Sequence, residues 1–343
     1  MIQSGLIQTL LPLIRSNRCV KFTTRAARIL EAVFEMRHQS HAVFLETDAL
    51  EAFIGRLYFD TMQCLPAARP LSIGISLADR REVAHKVDEL LTGAIAKVDQ
   101  TEAGPVAMVT EDAAAASEMT PSSASTEAIA LPAQCPVDTK SLLKALMRFL
   151  HVVVSEATFA TALRSILETH LPVCLETLLR APKFFGTSLW YLASKWVMEY
   201  ANMEPLLLPT LQEVGLPQAI LDVVSDSIPE SDQLLSELPS ILSAICLNEQ
   251  GLEMLRKADP FKAIVATFVT PRYMPCMGYE TPAILGTDMD ELLRHQPSLR
   301  PLAMHAIADV LQTIKEIGHD DNVKVIAGEC CGGCCSLVTA QLL

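Results

Sequence analysis

Residues 214–224 read VGLPQAILDVV, a Gly-Leu step at the mouth of an apolar helical run. The phrase recurs as SGLIQTLLPLI at 4–14 and QGLEMLRKADP at 250–260, with a looser copy, DALEAFIGRL, at 48–57 that carries Ala for Gly. Gly5 and Ala49 are 44 positions apart and Gly215 and Gly251 are 36 apart, which brackets the roughly 40-residue period of armadillo and HEAT units. A small residue at a helix entrance lets the preceding helix pack close, and the leucines that follow fill the groove between neighbouring repeats. This pattern predicts an all-α, armadillo/HEAT-like helical-repeat solenoid; a compact irregular helical domain is the alternative it leaves open.

Outward from the repeated phrase, helix follows helix. TRAARILEAVFEM puts Ala27, Leu30, Ala32, Val33 and Phe34 on one broad stripe, and SLLKALMRFLHVVV does the same with Leu142, Leu143, Leu146, Phe149 and Leu150. Short breaks carrying Pro, Gly, Asn or Asp separate such runs, as in ETHLPVCL, LRAPKFFG, NMEPLLLP and KADPFKAI. Composition agrees: half of the 343 residues are hydrophobic but only 5% are aromatic, which suits a Leu/Ala/Val-rich helical interior.

Residues 99–138 break the pattern, with seven acidic residues and no Lys or Arg between Lys97 and Lys140. So little bulky apolar surface does not offset ordering entropy, and residues 99–139 read as a disordered acidic linker or insertion. The expected organisation is N-terminal repeats over 1–98, this linker, an armadillo-like domain over 140–318 and an atypical Cys-rich tail over 319–343.

A net charge of −13 opposes binding to phosphate backbones and anionic membrane surfaces, so neither nucleic acid nor membrane is an expected partner. The N-terminus has no basic region or cleavage site of a signal peptide, and no window of about twenty residues reads as a span. Six cysteines, Cys19, Cys64, Cys135, Cys174, Cys246 and Cys276, are scattered without a repeated spacing. That is not a disulfide framework, and a reducing cytoplasmic or nuclear compartment is expected.

Residues that carry chemistry elsewhere are isolated here. No phosphate-binding glycine loop occurs, and His38 and His41 lack the carboxylate or thiolate company of a metal site, so no cofactor or metal is expected. Cys246 reads as a small core thiol in mid-helix among Ile241, Leu242, Ile245 and Leu247. Trp190, Tyr191, Trp196 and Tyr200 read as packing residues, the alternative being an aromatic binding face. In residues 289–314 Glu291 and His295 stand one helical turn apart, Pro297 ends one helix, and the next starts with Ser298 as N-cap and Pro301 in its first turn. Nothing supplies a nucleophile to a Glu291–His295 pair, so no catalytic residue is assigned.

The stretches LPSILSAICLNEQGLEMLRKADPFKAIVATFVTPRYMPCM and DMDELLRHQPSLRPLAMHAIADVLQTIKEIG closely resemble the N-terminal region of the giant HECT-type E3 ubiquitin ligases of the Mule/ARF-binding-protein, Tom and UPL family. The resemblance covers about 5–318 and is strongest over 182–318. It implies an armadillo-like solenoid of paired domains of unknown function, acting as scaffold and substrate-recruiting surface of a ligase. The family's catalytic HECT domain has no counterpart in these residues, so the chain is not expected to be an enzyme by itself. Implied partners are protein substrates of ubiquitination and the remainder of the ligase solenoid, with docking expected around Glu291, Arg294, His295 and Arg300. A free-standing helical-repeat adaptor is the alternative reading. The tail GECCGGCCSLVTAQLL carries Cys330, Cys331, Cys334 and Cys335; one C-x-x-C without two further well-placed ligands does not make a zinc site.

Overall fold

The computed structural model describes residues 2–16, 19–36, 41–68, 134–278 and 280–319. His38, residues 69–133 with most of the acidic stretch, and the four tail cysteines lie outside the described residues.

The described residues are helical, without a strand among them, and the helices come in groups. The first group is α1 (Ile2–Arg15) and α2 (Val20–Met36); the second is α3 (His41–Glu46), α4 (Ala49–Ala68) and α5 (Val137–Val154). The third is α6 (Ala160–Ile166), α7 (Leu171–Arg180), the single turn α8 (Pro182–Phe185) and α9 (Thr187–Met203). The fourth is α10 (Leu208–Val214), α11 (Leu216–Asp226) and α12 (Asp232–Ile245), and the fifth α13 (Glu249–Ala258), α14 (Phe261–Ala266) and α15 (Thr281–His295). Helix α16 (Arg300–His319) closes the series.

Two layers result from how the groups stack. The last helix of each group packs on the last helix of the next, in the order α2, α5, α9, α12, α15. The second helices stack likewise, α4 on α7, α7 on α11, α11 on α14 and α14 on α16, with α1 beside α4. This is the armadillo form of the solenoid, in which a first helix is followed by two that build the layers; the first helix is short in the second, third and fourth groups, at six or seven residues. Helices α7, α11 and α14 start at Leu171, Leu216 and Phe261, a regular step of 45 positions.

That step corrects the spacing of 36. The Gly5, Ala49 and Gly215 copies of the repeated phrase stand in or at the start of α1, α4 and α11, helices of one layer, but the Gly251 copy lies in α13, the first helix of its group. The small residues also do different work. Gly215 has φ +88 with open space where a Cβ would stand, so it serves the left-handed turn joining α10 to α11. At Gly251 a Cβ would stand 1.7 Å from the Ile245 carbonyl oxygen, a true close approach of two helices. Gly5 faces open space and packs against nothing.

The predicted apolar stripes form the core. Ala27, Leu30, Phe34, Leu142, Leu143, Leu146, Phe149 and Leu150 are buried, with Ala32 and Val33 half-buried. Phe34, Phe53, Phe149 and Phe159 pack edge and face around one another, with the His41 ring stacked 4.2 Å from Phe34. This aromatic knot joins α2, α4 and α5 on both sides of residues 69–133. Trp190, Trp196 and Tyr200 are fully buried; the Trp190 indole N–H donates to the Leu179 carbonyl at 2.9 Å and the Tyr200 hydroxyl to that of Leu163 at 3.0 Å. They are packing residues.

Three local expectations change. Cys246 caps the C-terminus of α12 instead of lying mid-helix, while Leu247 beyond it is exposed. Pro297–Leu299 forms a 3-10 turn running straight into α16, so Ser298 sits in that turn and not at an N-cap. Residues 137–139, assigned by sequence to the acidic stretch, are the first turn of α5.

Candidate protein-docking surface

The layer built from α2, α5, α9, α12 and α15 carries the polar residues of interest. Helical spacing sets Tyr191, Lys195 and Asn202 along one stripe of α9, and Glu237, Ser240 and Ala244 along one stripe of α12. Toward the start of these helices the stripes meet. The Tyr191 hydroxyl donates to Glu237 Oε1 at 2.7 Å, and Lys195 Nζ donates to the same oxygen at 3.0 Å. Glu237 Oε2 and, on α5, His151 Nε2 are buried without a hydrogen-bond partner. Burial, then the Lys195 charge, holds the His151 imidazole below its ordinary value, against a smaller opposing pull from Glu237. Burial and the Glu237 hydrogen bond push the Tyr191 hydroxyl up to about 12.

Toward the other end of the same layer the helices part. Between α9, α12 and α15 lies a groove of about 620 Å³, lined among others by Asn202, Ser243, Leu247, Asp288, Glu291 and His295. Its floor is made of Pro239, Ala244 and Leu292, its rim of amide, hydroxyl and carboxylate groups. The Gln296 side-chain N–H donates to the Cys246 carbonyl at 3.3 Å and ties α15 to the end of α12.

The four residues singled out by sequence divide at this groove. Glu291 and His295 line it, 3.7 Å apart and both largely exposed. Arg294 points elsewhere, in an ion pair with Asp290 one turn back, and the Arg300 guanidinium donates to the Leu293 carbonyl at 3.0 Å, bracing the α15–α16 corner. The groove residues of α9 and α12 and the Tyr191–Lys195–Glu237 network have no counterpart in the sequence reading. Lys195 and Glu237 are 42 positions apart, and no local pattern pairs residues that only stacking brings together.

Among the described residues no group of His, Cys, Asp and Glu is arranged to hold a metal ion, and no helix is long and apolar enough to cross a membrane. The buried thiols of Cys174 and Cys246 are raised by burial, the latter to about 12, which leaves them un-ionised and poor nucleophiles.

Residues 24–331 match the model of a family described as Domain of Unknown Function (DUF913). The chain belongs to the DUF913 family. The match runs past Gly318, where the sequence resemblance was read to end, and takes in Cys330 and Cys331. The DUF913 chain is 32% identical over 196 residues to the E3 ubiquitin-protein ligase HUWE1 of Mus musculus, covering 54% of the chain. It is 27% identical over 323 residues, 93% of the chain, to the E3 ubiquitin-protein ligase UPL2 of Arabidopsis thaliana. With the E3 ubiquitin-protein ligase TOM1 of Saccharomyces cerevisiae it shares 29% over 174 residues. These ligases are far longer: the match covers 4%, 8% and 5% of them respectively. The resemblance to that ligase family is borne out.

One of the recognised phrases now has a physical explanation in the DUF913 fold. In CLNEQGLE, Asn248 caps α13 by accepting from the Gly251 N–H at 2.7 Å, and its amide exchanges hydrogen bonds of 2.9 and 3.1 Å with Gln212 of α10. Gly251 permits the close approach to Ile245. The phrase is the joint between the fourth and fifth groups.

Proposed function

We propose that this DUF913 chain is a scaffold and protein-recruiting segment of a HECT-type E3 ubiquitin ligase, engaging polypeptide partners in the groove between α9, α12 and α15. The groove is the observation that carries the reading. It crosses three stacked helices, offers an apolar floor with a polar rim, and places Asp288 and Glu291 where an extended segment bearing Lys or Arg would pair with them. A segment lying across stacked repeats makes contacts with several helices at once, which is how solenoids bind extended partners.

The remainder of the ligase solenoid is the second class of partner. Phe22, Ile29 and Met36 recur every seven residues on α2 and are exposed, as are Met304, Ile307 and Leu311 on α16. Apolar stripes at both ends of a stack suit the docking of further helical repeats.

A photo-crosslinking residue in place of Ser243, introduced in cells, tests the recruiting role. The captured proteins should include some whose ubiquitination falls when Glu291→Lys and Asp288→Lys are introduced into the full ligase. Unchanged capture by the charge-reversed chain counts against the groove, and a thioester formed by the chain alone with charged E2 counts against the non-catalytic role.

A further inference from the structure

The end of α4 and the residues entering α5 come together at one point. Cys64, near the end of α4, and Cys135, two residues before α5, are 71 positions apart in sequence, yet their Sγ atoms are 4.0 Å apart. Both are buried, at 8% and 5% exposure. Cys135 is anchored from its other side, its backbone N–H donating to the Phe184 carbonyl at 2.9 Å. One turn before Cys64, Asp60 is held by the Arg56 guanidinium at 2.5 Å inside the protein. The other described cysteines, Cys19, Cys174, Cys246 and Cys276, lie elsewhere in the chain, and none is recorded in contact with another.

We propose that Cys64 and Cys135 form a reversible thiol–disulfide site that joins the end of α4 to the residues entering α5, with hydrogen peroxide as oxidant. The Cys64 thiolate attacks one peroxide oxygen; an S–O bond forms, the O–O bond breaks, and the departing hydroxide takes up a proton to leave as water. Cys135, deprotonated as it attacks, then displaces hydroxide from the Cys64 sulfenic acid, forming the S–S bond and a second water. Two thiols lose two electrons in all and the peroxide gains them. A bonded pair needs an S–S distance of about 2.05 Å, so the sulfurs close by about 2 Å through side-chain rotation.

The electrostatics divide the roles in the same way. The hydrogen bond from Cys135 lowers the Cys64 thiol, outweighing burial and the Asp60 charge, while the same bond and burial raise Cys135. Cys64 is therefore the attacking sulfur and Cys135 the resolving one. The bond would fix the end of α4 to the start of α5 and so hold the second and third helices of one group together.

The test treats the full chain with hydrogen peroxide, quenches with N-ethylmaleimide, and maps linked peptides by mass spectrometry. A Cys64–Cys135 peptide should rise with peroxide and vanish on dithiothreitol, while Cys174 and Cys246 stay reduced. In Cys135→Ser, Cys64 should instead be trapped by dimedone as a sulfenic acid, about tenfold above Cys174. Circular dichroism of the peroxide-treated chain and of Cys135→Ser establishes that both remain folded when the peptides are mapped. Absence of the linked peptide in folded, peroxide-treated protein overturns the proposal, as does Cys64 joining Cys19 or a tail cysteine in its place.

Discussion

Gly251 admits no side chain, because a Cβ would stand 1.7 Å from the Ile245 carbonyl oxygen, a backbone atom that moves only with its helix. Gly251→Ala should therefore cost about 1–3 kcal/mol, the range of overpacked interiors, read as a lower urea midpoint. Gly5 is the control. It lies within α1 with nothing within 4 Å of its Cβ position, so Gly5→Ala should raise stability by about 0.5–1 kcal/mol through helix propensity. Equal effects at the two sites would refute the distinction. Asn248→Ala removes the cap of α13 and strands the buried Gln212 amide; a loss of about 1–3 kcal/mol is expected from the two effects together. The sequence made these glycines look alike. Which one is tightly packed depends on a helix that arrives from elsewhere in the fold.

At the scale of elements, the core faces of α2 and α5 were legible because a helix repeats every 3.6 residues and its buried face is written in near neighbours. The polar joints between helices were not. His151 on α5 is held below its ordinary value of 6.5 by burial first and by Lys195 second, with Glu237 pulling the other way. Its folded pKa is depressed, so its contribution to stability is fully present above about 6.5 and is lost as pH falls from there toward the folded value. Urea midpoints followed from pH 7.5 to 5.5 should fall with pH, and His151→Phe should flatten that fall. A wild-type slope retained by the variant would place the titration in another group. Lys195 and Glu237 are about a quarter and a third exposed, so removing their ion pair alone should cost at most about 1 kcal/mol.

For the whole molecule, layered stacking makes stability a sum over neighbours. Leu238 on α12 is fully buried, and Leu238→Ala should cost about 2–5 kcal/mol. Hydrogen exchange should lose protection in α12 and in α9 and α15, which pack on it, with α1 and α2 keeping theirs. Uniform loss across the chain would mean one cooperative core instead of a stack.

The sequence by itself determined the all-α fold class, which faces the helices bury, that they repeat, and which ligase family the protein is related to, through CLNEQGLE and DELLRHQPSLR. Each of these rests on residues a few positions apart or on a contiguous phrase. Only the tertiary structure decided the 45-residue register of the groups, the groove that joins Asn202 and Ser243 to Glu291, and the meeting of Cys64 with Cys135. Those depend on which helices stack, and stacking is set by the fit of whole apolar faces over separations of about 45 to 90 positions, where no local periodicity reaches.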